Sequence, residues 1–282
     1  MMYNHLMTQE IKHKVGFIGV GNLASAMISG WIDSGYLTAE QIAGSNRSEG
    51  KLHRAVEQFG IKSYSTNEEL IDSSQIVVLA AKPQDLTQAL ESIASSFGPE
   101  HVVISLAAGL PLAHLRKLIP NVSQWVRVMP NTAVKIRQGV SGFYLSSGAK
   151  HLASQIEKLL APFGTVVQVD DEEKFAALAV GCSAGVGFIF ELMQYWQEWL
   201  EEHDIAPQAA REITAQTFLG ASMLAQQSPQ TTLLDLQSKV TSKKGITSAG
   251  LESMRELEIE RLLRYSFEKA ALRDREIADQ LR

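Results

Sequence analysis

Val15-Gly16-Phe17-Ile18-Gly19-Val20-Gly21-Asn22-Leu23-Ala24 is the stretch on which the fold of this chain turns. An apolar strand run closes on two glycines and passes directly into a helical pattern at Asn22–Ser34, the context that a GxGxxA dinucleotide fingerprint requires. Gly19 permits the tight turn and Gly21 lets backbone approach a pyrophosphate. Ala24 keeps the helix close to the sheet, while the helix N-terminus offers amide donors to phosphate. The competing reading is a tight turn with no ligand.

About 20 residues beyond such a fingerprint an acidic side chain normally takes the ribose 2′-hydroxyl. Here the second strand ends in Ser45-Asn46-Arg47-Ser48 instead. A carboxylate would repel a 2′-phosphate, whereas Arg47 between hydroxyl and amide neighbours would bind one through charge-assisted hydrogen bonds. The expected cofactor is therefore NADP (NADPH) rather than NAD. In the alternative, Arg47 only caps the following helix in solvent.

Outward from this loop, apolar runs alternate with amphipathic stretches to about Val169, as in β-α-β units on a parallel sheet. Strands are expected at Val15–Val20, Gln41–Ser45, Ser63–Ser65, Ile76–Ala80, Val102–Leu106, Trp125–Met129, Gly142–Leu145 and Thr165–Val169. Helices between them include Gln84–Ser95 and Ala149–Leu160. After Asp170 only helical patterns follow, with Pro207 and Pro229 at the breaks. The expected fold class is α/β: a Rossmann-type NAD(P)-binding domain over 14–170, then an all-α substrate and dimerisation domain over 171–282. No flexible linker separates them, which points to a shared interface and to a ligand cleft there.

Ala176–Phe190 carries no charge. It is shorter than the roughly 20 apolar residues of a membrane span, and Gly181, Gly185 and Gly187 interrupt it. The expectation is a helix buried on all sides against another helix, within the chain or between chains. Met1–His13 has neither the apolar core nor the cleavage pattern of a signal peptide and reads as a ragged extension.

The 282 residues are 45% hydrophobic with a formal net charge of -5, which rules out disorder and gives no electrostatic reason to seek nucleic acid or anionic lipid. The single cysteine, Cys182, forms no internal disulfide, in keeping with a reducing, cytoplasmic setting. No two histidines or cysteines stand at metal-ligand spacing and no GxSxG elbow occurs. Cys182 reads as an inert small hydrophobe.

Four segments occur in one order: Gly16 to Ala24, Leu79-Ala80-Ala81-Lys82-Pro83-Gln84, Ser105-Leu106-Ala107-Ala108-Gly109 and Arg127-Val128-Met129-Pro130-Asn131-Thr132. Together with Val240-Thr241-Ser242 and Gly245 to Leu251, they resemble the pyrroline-5-carboxylate reductase family over nearly the whole chain from Lys14. The resemblance implies NAD(P)H-dependent reduction of the C=N bond of 1-pyrroline-5-carboxylate to L-proline. It implies cofactor contacts from Gly19, Gly21, Asn22, Leu23, Ser45, Asn46, Arg47, Asn67, Ala80, Ala81, Lys82, Pro83, Ala107 and Gly109. Substrate contacts would come from Met129, Asn131, Ser183, Ser242, Gly245, Ile246 and Thr247. Thr247 resembles the family's substrate-site threonine, whose hydroxyl bonds the ring nitrogen. A plainer reading gives each a local duty: Lys82-Pro83 ends a strand, Pro130-Asn131 makes a turn, and Thr247 caps the helix Ser248–Leu257. A homodimer through the C-terminal helices, with rings of dimers possible, is also implied.

The helical half departs from the family. Its loop Ser-Pro-Gly-Gly-Thr-Thr is here Ser242-Lys243-Lys244-Gly245-Ile246-Thr247, with lysines in place of Pro and Gly. Its Ser-Gly-Ser-Gly-Pro-Ala-Tyr segment is best matched by Ser183 to Ile189, with a two-residue register shift left open. Three other readings follow: a reductase of a related cyclic imine, a non-catalytic NADP-binding paralogue, and a β-hydroxyacid dehydrogenase. The last expects a lysine with an asparagine one turn later, and Lys174 has Leu178 there.

Overall fold

A computed structural model describes residues 13–280. His13 belongs to the first strand; the rest of the expected N-terminal extension lies outside the described residues. The eight strands are β1 (His13–Ile18), β2 (Ile42–Ser45), β3 (Lys62–Ser63), β4 (Ser74–Leu79), β5 (Val102–Ser105), β6 (Gln124–Pro130), β7 (Gly139–Leu145) and β8 (Gly164–Val169). They form one sheet in the order β3-β2-β1-β4-β5-β6-β7-β8. Every neighbouring pair is parallel except β6 and β7. A parallel return needs a long crossover, and the short turn between Pro130 and Gly139 cannot supply one, so the chain reverses there.

Helices α1 (Asn22–Asp33), α2 (Glu49–Phe59) and α6 (Ala153–Leu160) cover one face, and α3 (Asn67–Asp72), α4 (Pro83–Ile93) and α5 (Leu112–Leu118) cover the other. Continuous apolar runs such as Ile76-Val77-Val78-Leu79 follow from this, because alternate side chains enter two cores. Ile76 and Val78 join the cluster around Met27 and Trp31, while Val77 and Leu79 join that around Leu86 and Leu90. Trp31 fixes the first core: its ring lies 5.3 Å from Phe163 and its Nε1 donates to the carbonyl of Leu159.

The remaining helices are α7 (Glu172–Leu178), α8 (Gly185–Glu201), α9 (Pro207–Gln227), α10 (Leu233–Lys239), α11 (Ile246–Glu256) and α12 (Ile259–Gln280). A π-helical turn, Ala179–Ala184, joins α7 to α8 and contains Cys182 and Ser183. Pro207 is the first residue of α9 and Pro229 lies in the turn after it. By packing, one compact unit ends at Ala184 and is rejoined at Ala271, and the other is Gly185–Ala270. In the second unit Phe188 meets Phe267 and Trp196 meets Phe218, both edge to face.

Of the two coverings expected for Ala176–Phe190, by a helix of its own chain or of another, its own chain does not supply the first in full. In the single chain Ile189 is 48% and Phe190 63% exposed, and Trp196 and Trp199 extend the apolar surface. Glu172–Glu201 is moreover a 30-residue helix long and apolar enough to cross a membrane by length and composition. Composition reports that a helix must be covered; it does not report that its own chain does the covering.

Candidate active site

In the order β3-β2-β1-β4-β5-β6 the strands are all parallel, but their succession across the sheet switches side between β1 and β4, and ligands of open α/β sheets bind beyond the carboxyl ends of strands at such a point. A cleft of about 800 Å³ lies there. The segment after β1 supplies Gly19 to Leu23, that after β2 supplies Ser45 to Ser48, and that after β4 supplies Ala80 to Lys82; Lys51, Asn67 and Asp85 also line it.

Gly19 has φ +95, and a Cβ there would lie 2.8 Å from the amide nitrogen of Ala81, so only glycine lets the first loop pass this close to the fourth strand. Gly21 has open space where a Cβ would stand. It is the N-cap of α1, no side chain caps that end, and the first turn holds no acid. The result is a cradle of free amides open to the cleft, suited to an anion. The lining cations are Arg47, Lys51 and Lys82, against one carboxylate, Asp85. This chemistry fits a pyrophosphate in the cradle and a further phosphate near Arg47 and Lys51.

The loop is clasped to the neighbouring strand. Gly19 donates its amide to the carbonyl of Ser45 at 2.9 Å, and the side-chain amide of Asn46 accepts from the amide of Val20 while donating to its carbonyl. Asn46, expected to hold the ribose phosphate, thus spends its side chain on the glycine loop. Arg47 does not cap α2, whose N-cap is Ser48; it pairs with Asp85 at 3.0 Å. The clasp and the pair span 26 and 38 residues, so no local pattern announced them.

Other expected residues are placed differently. Pro83 opens α4 as its first residue and does not line the cleft, and neither do Ala107 and Gly109. Gly109, at φ +64, is faced by Ile277 of α12 at 2.5 Å from where a Cβ would stand. Asn131 caps the turn Thr132–Ile136: its Oδ1 accepts from the amides of Ala133 and Val140. Met129 is buried, and its carbonyl faces the Cys182 thiol at 3.8 Å. Burial pushes the Cys182 pKa up, which keeps the thiol protonated.

Beneath these segments lies an ion pair that sequence reading missed. Arg127, 6% exposed, donates to Glu172 Oε1 at 2.9 Å and stacks over Phe175. The same carboxylate oxygen accepts the amide of Leu112, capping α5, whose N-cap Pro111 has no acceptor side chain. Burial lowers the Arg127 pKa and Glu172 opposes the shift.

In the other unit Ser242 to Gly245 form a hydrogen-bonded turn, Gly245 N to Ser242 O at 3.0 Å. Of its two central residues only Lys244 has positive φ, +59, the signature of a type II turn. The lysine keeps the left-handed conformation that glycine adopts cheaply. Ile246 and Thr247 open α11 and are exposed; Gly245, not Thr247, is the N-cap. Lys244→Gly should therefore raise the unfolding free energy by about 0.5–1 kcal/mol, the relief of left-handed strain less the added entropy of the unfolded glycine. Urea unfolding at fixed protein concentration measures it.

Residues 172–277 match the family model described as pyrroline-5-carboxylate reductase dimerisation, and residues 14–109 that described as NADP oxidoreductase coenzyme F420-dependent. The pyrroline-5-carboxylate reductase of Pseudomonas aeruginosa is 32% identical over 271 residues, 95% of this chain and 98% of the relative. The chain belongs to the pyrroline-5-carboxylate reductase family. The solved reductase of Coxiella burnetii superposes with a TM-score of 0.86 at 28% identity, over 95% of this chain and 99% of that one. The Plasmodium falciparum pyrroline carboxylate reductase, solved with NADP bound, shares the fold with a TM-score of 0.84 at 19% identity, over 95% and 99%. As in the sequence reading, this member of the pyrroline-5-carboxylate reductase family joins a Rossmann-type sheet to a helical dimerisation region.

Proposed function

We propose that the protein reduces 1-pyrroline-5-carboxylate to L-proline with NADPH. The observation that carries this reading is the uncapped cradle at Gly21, flanked by Arg47 and Lys51, in a chain of this family. When bound, NADPH supplies a hydride to the imine carbon. The protein binds and orients. The α1 amides hold the pyrophosphate, Arg47 and Lys51 the 2′-phosphate, and Asn67 the ribose.

Little acid–base power is asked of side chains, because a protonated cyclic imine already accepts hydride, and positioning supplies much of the rate. The iminium N–H donates to the Thr247 hydroxyl, the free amides at the start of α11 hold the carboxylate, and the product amine takes its proton from solvent. Met129 and Ser183 are substrate residues by the family resemblance alone. The left-handed φ at Lys244, a conformation that glycine adopts cheaply, favours a working loop over the non-catalytic reading. The apolar surface of α8 serves self-association, in a soluble cytoplasmic dimer able to build rings, and not a membrane. The nucleotide role belongs to 14–170 and the substrate and association roles to 171–282.

Purified protein should oxidise NADPH only when pyrroline-5-carboxylate is present; cofactor binding without turnover on this or related imines overturns the proposal. Thr247→Ala and Thr247→Val should each lose about 10- to 100-fold in kcat, with the NADPH Kd unchanged, since both remove the hydroxyl. Steady-state kinetics and fluorescence titration separate the two quantities.

A further inference from the structure

Arg47 and Asp85 line the same cleft and are paired at 3.0 Å, with Arg47 83% and Asp85 43% exposed. Asp85 stands in the first turn of α4, where the helix dipole favours a negative charge. Lys51 and Lys82 line the cleft without a carboxylate at salt-bridge distance among the described residues. Of the two cations placed to recognise a 2′-phosphate, Arg47 and Lys51, Arg47 is thus the one already neutralised from within.

We propose that Asp85 determines cofactor choice: its carboxylate stands in for the 2′-phosphate on Arg47, so NADH meets a neutral pair while NADPH must displace Asp85. The inference rests on the NADPH reading above. With no 2′-phosphate present, the Arg47–Asp85 pair stays closed and no cation is stranded. A 2′-phosphate offers Arg47 a doubly charged, bidentate partner that one aspartate oxygen does not match, and it approaches Lys51 as well. The exchange leaves Asp85 facing a phosphate of like sign, a continuing penalty on NADPH alone. Asp85 therefore narrows the preference for NADPH and keeps NADH usable.

The test is calorimetric titration of the full chain with NADP+ and with NAD+, in wild type, Asp85→Asn, Arg47→Gln and the double variant. Asp85→Asn should tighten NADP+ by about three- to tenfold, with no such gain for NAD+, and added salt should shrink the gain because the charges are exposed. In Arg47→Gln the aspartate substitution should yield less than half of that gain. The kcat/KM ratio for NADPH over NADH should rise in step. Unchanged or weaker NADP+ binding in Asp85→Asn overturns the role of Asp85 while leaving the NADPH reading intact. A wild type that prefers NAD+ or binds neither overturns that reading and this inference with it.

Discussion

Glu172→Ala is expected to lower the unfolding free energy by about 3 kcal/mol, the lower end of what removing one partner of a buried ion pair costs. Arg127 would remain inside with no counter-charge: its side chain is 7% exposed against 34% for Glu172, and its Nε already lacks a partner. The Leu112 amide would lose its acceptor as well. Glu172→Gln should cost about half as much, because a neutral oxygen still accepts both hydrogen bonds. Arg127→Met combined with Glu172→Met should recover much of the loss, since no charge is then stranded. Urea unfolding at fixed protein concentration is the measurement, because association adds to apparent stability. A loss below about 0.5 kcal/mol for Glu172→Ala would mean that water reaches Arg127.

Gly19→Ala is expected to weaken NADPH binding by about 100-fold or more, or about 2.7 kcal/mol. Two costs act together. The left-handed φ of +95 penalises any Cβ, and that Cβ would press on the Ala81 amide at 2.8 Å, backbone that has nowhere to go. The loop must move by some tenths of an ångström, carrying the amides of the cradle with it. Gly35→Ala separates the two, since φ there is +71 with open space at the Cβ. That control should lose about 1 kcal/mol of stability and no cofactor affinity. Fluorescence titration with NADPH and thermal unfolding of both variants test the pair of statements.

Much of the nucleotide half was legible because its signals are local. An apolar run buried on both faces reads as a strand wherever it lies, and all eight expected strands are present within a few residues, β7 beginning three earlier at Gly139. Gly19, Gly21 and Arg47 were legible because a turn, a helix start and a charge each belong to one short motif. What escaped reading depends on pairs. Asn46 could serve phosphate or backbone, and only the distance to Val20 shows that it clasps the loop. Asn131 could meet substrate or cap a turn, and the amides of Ala133 and Val140 claim its oxygen.

By itself the sequence determined the alternation of strand and helix, the glycine loop and the charge beyond the second strand, since each follows from backbone conformation or periodicity over a few residues. Only the tertiary structure decided that Asp85 holds Arg47, that Glu172 both neutralises Arg127 and caps α5, and that Lys244 keeps a glycine-like turn. The physical reason is common to the two charge pairs. A side chain has more than one satisfactory partner, and which it takes is set by what the folded chain brings within 3 Å. For Lys244 the surrounding turn imposes a conformation that the residue's own preference opposes.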